Sequence, residues 1–181
     1  MITEIADRRY QFHWSLLGDM VAGRPNLGPT TRLEIYRLMQ FTFRDVLEQS
    51  LGAAATDEVF RQAGRLAGAH FYDHYLSEVR TPDELVSRLQ SLLRDLGVGV
   101  LRIEKADFER GQLVLTVSED LDCSGLPDLG QEICSYDEGF IAALLEKFTG
   151  KAFTVKEIDC WCTGERTSRF TAEALAVPAV K

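Results

Sequence analysis

Hydrophobic and polar positions along the chain change period near residue 98, which separates a helical part from a part read mainly as strands. Ahead of that point, Leu33, Tyr36, Leu38, Met39, Phe43, Val46 and Leu47 recur mostly at three- and four-residue steps. The spacing predicts an amphipathic helix ending about Gly52. Thr31-Arg32-Leu33-Glu34 has the form of a capping box at its start, in which hydroxyl and carboxylate satisfy each other's backbone donors. A second helix is predicted over roughly 56–76, and its small residues Ala63, Gly64, Ala67, Gly68 and Ala69 would let it pass close to another element. A third opens on a capping box at Thr81-Pro82-Asp83-Glu84, with proline where its missing N–H costs nothing, and stops near Gly97.

Beyond the change of period, 98–103 and 112–118 read as strands, the second with Leu113, Leu115 and Val117 on one face. A polar loop follows over 120–130, then a helix over 137–148 ended by Gly150. The last element is a hairpin pairing 152–162 with 167–172 across Gly164-Glu165-Arg166. The order predicts an α+β fold, a helical layer on a small antiparallel sheet. Residues 1–30 read as an N-terminal extension in which Tyr10, Phe12 and Trp14 alternate with polar residues; 31–174 form one domain and 175–181 a tail.

Composition bounds the function. With 45% hydrophobic and 27% charged residues the chain is an ordinary globular mixture. Its formal charge of −8 repels phosphate backbones, so no nucleic-acid partner is expected. No apolar run nears the roughly 20 residues that cross a bilayer, so no membrane partner is expected either. The first nine residues lack the basic-then-apolar order of a signal peptide. The expected compartment is the cytoplasm, where clustered thiols point to metal or redox chemistry rather than to disulfides.

All four cysteines, Cys123, Cys134, Cys160 and Cys162, fall in the last third of the chain. Cys134, Glu157, Cys160 and Cys162 form a candidate metal set, since zinc takes four ligands drawn from thiolate, imidazole and carboxylate. Cys134 would approach from the start of a helix, whose dipole favours thiolate. Cys160 and Cys162 share a strand face; Glu157 has the opposite parity and joins them only if a bulge intervenes. The alternative is that the cysteines simply pack as small buried apolar groups. His70 and His74 share a helix face but lack the glutamate that a helical zinc-hydrolase motif places after the first histidine, and read as a core-edge or solvated pair. The run Glu119-Asp120-Leu121-Asp122 could attract a hard cation or be a solvated loop. No phosphate loop, nucleophile elbow or catalytic constellation is found, so no catalytic residues are assigned.

Cys134, Tyr136, Gly139 and Phe140, then Lys156-Glu157 with Cys160, Thr163-Gly164 and Arg169-Phe170, together resemble the 4-vinyl-reductase domain family. Leu33-Glu34-Ile35-Tyr36-Arg37-Leu38 and Phe60-Arg61-Gln62-Ala63-Gly64-Arg65 are similar to it as well, so the resemblance spans roughly Leu27 to Thr171. It implies a fold shared with TRAPP trafficking subunits and haem-NO-binding-like domains. The family includes aromatic-sensing domains of transcriptional activators, a protein linked to bacteriochlorophyll synthesis, and stand-alone hydrocarbon-binding proteins. In the aromatic sensors a structural zinc is held by Cys, Glu, Cys and Cys; the first three correspond to Cys134, Glu157 and Cys160, a spacing the family accommodates. The fourth falls on Ser168. If 162 pairs with 168 across the hairpin, Cys162 supplies the missing thiol; otherwise the metal site is lost and Cys162 packs.

The resemblance thus implies a cavity between helices and sheet for an apolar or aromatic small molecule, with Leu113, Leu115, Val117, Phe140 and Leu144 as lining residues that could equally be plain core. It also implies a homodimer, signalling through a regulatory protein partner. The alternative is a scaffold or assembly subunit acting through protein interfaces. Reduction of a vinyl group would rest on the family name alone, so the chain is read as a binding domain and not an enzyme.

Overall fold

The computed structural model describes residues 9–175; the first eight residues of the expected extension and residues 176–181 of the expected tail lie outside them. A single turn, α1 (Met20–Gly23), precedes the predicted helices α2 (Leu33–Leu51), α3 (Ala53–Tyr75), α4 (Pro82–Asp95) and α5 (Ser135–Thr149). Strands β1 (Val100–Asp107), β2 (Gln112–Ser118), β3 (Phe153–Asp159) and β4 (Ser168–Ala174) make one antiparallel sheet in the order β1-β2-β4-β3. The helices cover one face of it, as the α+β reading requires.

Side-chain alternation decides which face is covered. Leu113, Leu115 and Val117 of β2, Phe170 and Ala172 of β4, and Phe153 and Val155 of β3 are buried, with Ser168 and Glu157 at the ends of the same rows. The register sets Leu115 opposite Phe170 and Val117 opposite Ser168. On α4 the capping box forms as read: Thr81 Oγ1 accepts from the Glu84 N–H and Thr81 N–H donates to the Glu84 carboxylate at 3.2 Å. That helix then buries Leu85, Leu89 and Leu93.

The small residues of α3 do bring another helix close, and it is α5. A Cβ on Gly64 would run into the Tyr136 carbonyl, and one on Gly139 into the carbonyl of Arg61. Backbone meets backbone there, which fixes the N-terminal end of α5 and the residues it carries.

Three readings change. The helix α2 starts at Leu33 rather than Arg32, so Thr31 is not its cap; Arg32 takes that position with no side-chain cap bond, and Glu34 instead pairs with the Arg32 guanidinium at 2.6 Å. More importantly, α2 is amphipathic the other way round. Ile35, Leu38, Met39, Phe43 and Val46 are each more than half exposed, while Tyr36, Arg37, Gln40 and Arg44 are half-buried. The polar side faces inward because it has work there: Arg37 donates to the Leu121 carbonyl at 2.8 Å and to that of Ser124 at 2.9 Å, and Arg44 donates to Asp57 at 2.9 Å and to the Ile133 carbonyl at 3.2 Å. The final hairpin is also shorter at its tip. Strand β3 ends at Asp159, Trp161–Thr163 is a 3-10 turn, and Cys162 does not pair with Ser168. The Cys162 carbonyl instead accepts from the N–H groups of Leu129 and Gly130, at 2.9 and 3.0 Å, so the loop before α5 takes the place that β4 was expected to fill.

The N-terminal aromatics lie on α3. Phe12 meets His70 edge-on at 5.0 Å and Trp14 stacks on His74 at 4.2 Å, so both histidines anchor the N-terminal segment. Among the described residues no helix is long and apolar enough to cross a membrane.

Candidate functional site

Between the helical layer and the sheet lies a cavity of about 290 Å³. Its walls include Leu113, Leu115 and Val117 from β2 and Phe140 and Leu144 from α5, the five residues read from the sequence as lining. Phe71 of α3, Leu85 and Leu89 of α4 and Leu101 and Ile103 of β1 complete the apolar part. The alternation of β2 points its odd-numbered side chains at the helices, and these stop short of closing on one another.

One end of the cavity is polar, which the sequence reading missed. Tyr36, Asp120, Asp122, Tyr136 and Asp137 all line it. The acidic run was visible at 119–122, but its meeting with α2 and α5 depends on contacts distant in sequence. Tyr36 donates its hydroxyl to Asp122 Oδ1 at 2.7 Å, and the Asp122 N–H donates to Asp120 Oδ1 at 2.7 Å. Asp137 is half-buried as a residue, but its Oδ2 is fully buried and has no hydrogen-bond partner. Burial, with the charge of Asp122 added, pushes the Asp120 carboxyl up to about 7. Burial first, then the charges of Asp122 and Asp120, holds Asp137 well above the usual carboxylate range.

Directly behind this end sits a buried thiol cluster. Cys123 comes from the loop after β2, Cys134 is the residue before α5, and Cys160 follows β3; their sulfurs all lie within 4.8 Å of one another. The Cys134 and Cys160 Sγ atoms are 3.9 Å apart, close to the edge of about 3.8 Å that a tetrahedron with metal–sulfur bonds of roughly 2.3 Å would have. Glu157 borders the group: its Oε2 accepts from the Cys134 N–H at 3.3 Å, and its Oε1 is buried without a partner. The register shift between Glu157 and Asp159 is the bulge that strand parity demanded if glutamate and cysteine were to face one site. Glu138 steadies that bulge by accepting from the Glu157 N–H and from Lys156, both at 3.0 Å, while its other oxygen takes the Arg61 guanidinium.

Of the residues read as metal ligands, Cys134 and Cys160 meet, Glu157 lies against them, and Cys162 is not in the three-sulfur group. The third sulfur belongs to Cys123, whose Sγ is 3.1 Å from Ser168 Oγ. The signal for it was the register: β2 pairs with β4 through Val117 and Ser168, so the loop just after β2 ends beside Ser168. Cys160 is the most acidic of the thiols, lowered to about 2 because Cys123 and Cys134 both hydrogen-bond to it. The same contacts push Cys134 up. Burial, and then the charge on Cys160, raises Glu157 to about 8. Three soft donors beside an unpartnered buried carboxylate oxygen fit a borderline-soft divalent ion, so these cysteines could hold a metal.

Residues 113–174 match the model of the 4-vinyl-reductase (V-4-R) domain. Among solved structures, the phenol-responsive sensory domain of the transcription activator PoxR, determined with phenol, aligns at a TM-score of 0.59, with 14% identity over 74% of this chain and 71% of that one. A vinyl-4-reductase family protein from Methanocaldococcus jannaschii aligns at 0.55, with 15% identity over 81% and 83%. Subunit 3 of the trafficking protein particle complex from Naegleria fowleri, covalently bound to palmitic acid, aligns at 0.55, with 14% identity over 77% and 95%. The resemblance drawn from Cys134 to Phe170 stands on these matches, and the fold it implied is the fold observed.

Proposed function

We propose that this chain, with its 4-vinyl-reductase-domain stretch at 113–174, is a small-molecule-binding domain of the sensory or regulatory kind, accepting a hydrophobic or aromatic ligand rather than turning one over. The observation that carries the reading is the apolar cavity of about 290 Å³ held open between α3, α4, α5 and the sheet. That volume lies near the lower end of the roughly 300–1,000 Å³ usual for ligand sites, so a one-ring or short-chain molecule suits it. Support comes from the neighbours in fold, one a phenol-responsive domain and another carrying palmitic acid.

The thiol cluster is read as a structural zinc site with Cys123, Cys134, Cys160 and Glu157 as its ligands. Zinc there would tie the loop after β2, the start of α5 and the end of β3 to one point, and would supply rigidity and no chemistry. The four buried free thiols suit a reducing, cytoplasmic setting. The outward apolar face of α2 supports a homodimer, and the same face is what a scaffold subunit would use; a regulatory protein partner belongs to the sensory reading.

Filling the cavity separates binding from scaffolding. Leu115→Trp places an indole in the space, and binding of a naphthalene-type fluorescent probe should be abolished while thermal stability is kept. Probe binding equal to wild type in this variant would show that the cavity is not the site.

A further inference from the structure

The polar end of the cavity carries carboxyl groups that no ion pair among the described residues balances. Asp120 and Asp122 are 5% and 4% exposed, and Asp137 holds a buried oxygen with no partner. The nearby cations are engaged elsewhere and reach Asp122 only at a distance. Arg37 gives its guanidinium to the carbonyls of Asp120, Leu121 and Ser124, and Arg44 gives its own to Glu48, Asp57 and the Ile133 carbonyl. The donors that do serve these carboxyls are neutral: the Tyr36 hydroxyl and the Gln40 amide at Asp122, and the N–H groups of Asp122 and Cys123 at Asp120. Buried carboxyl groups without a cation are costly, and these persist at the end of an otherwise apolar space.

We infer that the cavity takes a protonated amine with an aromatic or aliphatic body, its ammonium group donating to Asp137 Oδ2 within the field of Asp120 and Asp122. The inference rests on the small-molecule reading above and names the ligand's chemical class. Its apolar body lies against Phe71, Leu115, Phe140 and Leu144, which line the apolar part of the space. A metal ion is a poorer complement, because among the described residues only the three cysteine sulfurs converge within 4.8 Å; the carboxylates do not. An ammonium needs one good acceptor and negative surroundings, and both are present. A neutral alcohol leaves the charge unbalanced, and an organic acid adds to it.

Calorimetric titration of the full chain with 2-phenylethylamine, 2-phenylethanol, propylbenzene and 3-phenylpropionate at pH 7 tests this. The amine should bind roughly tenfold or more tighter than its alcohol isostere, the acid weakest, and salt should narrow the gap. Asp137→Asn and Asp120→Asn should each shrink the amine-to-alcohol ratio, with thermal melting reporting that they fold. Should either fail to fold, the wild-type ratio alone still decides. If the alcohol or the hydrocarbon binds as tightly as the amine, the amine inference is overturned and the cavity reading survives. If the ratio is unchanged in both folded variants, the assignment to these carboxylates is overturned. If no member of the series and no naphthalene-type probe binds, the cavity reading falls and this inference with it.

Discussion

Ser168 stands where the family resemblance puts a thiol, and Cys123 reaches the same corner from the end of the neighbouring strand, with 3.1 Å between sulfur and oxygen. Exchanging which strand carries the sulfur leaves the donor set nearly unchanged, provided the β2–β4 register holds. The expectation is therefore specific. Cys123→Ser should lower bound zinc from stoichiometric to a small fraction in elemental analysis, and adding Ser168→Cys to that variant should restore it. Cys162→Ser should keep the metal, because Cys162 is outside the three-sulfur group. A second expectation concerns Asp120. Its folded value of about 7 lies above the ordinary 3.8, so its contribution to stability is present at low pH and is lost as pH rises from about 4 through 7. Asp120→Asn keeps an oxygen to accept from the Asp122 N–H and removes the titration. The stability difference between variant and ligand-free wild type should grow in the variant's favour across that window, as followed by urea denaturation at a series of pH values.

At the scale of elements, the contact of α3 with α5 is the joint on which the site depends. Gly64→Ala would push a methyl group into the Tyr136 carbonyl, next to the turn that bears Cys134 and Asp137. We expect a loss of roughly 1–3 kcal/mol or more in denaturant unfolding, with weaker probe binding, since the backbone there cannot retreat without moving α5. This joint was legible in the sequence as a run of small residues in a helical pattern. The strand alternation that supplies the cavity wall was legible for the same reason, periodicity being local. The tip of the last hairpin was not, because Leu129 and Gly130, distant in sequence, capture the Cys162 carbonyl that a regular ladder would have used. Nor was the acidic end of the cavity, which is assembled from α2, the loop after β2 and α5. Periodicity also misled over α2: it reports that a helix has an apolar face and cannot say that this face lies inside.

The whole molecule is therefore left with an apolar stripe of Ile35, Leu38, Met39, Phe43 and Val46 on its outside. Exposed patches of this kind mark association surfaces in soluble proteins, and a second copy of the chain is the partner expected here. Phe43→Glu sets a charge in the middle of the stripe without touching the inward side of α2. Light scattering coupled to size exclusion should show a dimer for the wild type and a monomer for the variant, at unchanged zinc content. A wild type that is monomeric at high concentration would remove the homodimer from the reading.

Helix α2 thus belongs to two surfaces at once. Its Tyr36 hydroxyl reaches Asp122 at the end of the cavity, and on the opposite side its leucine and phenylalanine side chains face outward. A ligand that draws on Asp122 changes what Tyr36 holds, and a partner that clamps the outer face changes how freely Tyr36 moves. By thermodynamic reciprocity, whatever ligand does to self-association, self-association does to ligand affinity by the same factor. The apparent dissociation constant of the ligand should therefore shift with protein concentration in the wild type and stay constant in Phe43→Glu. One three-turn stretch of helix would then make the fill of the cavity and the count of chains a single variable.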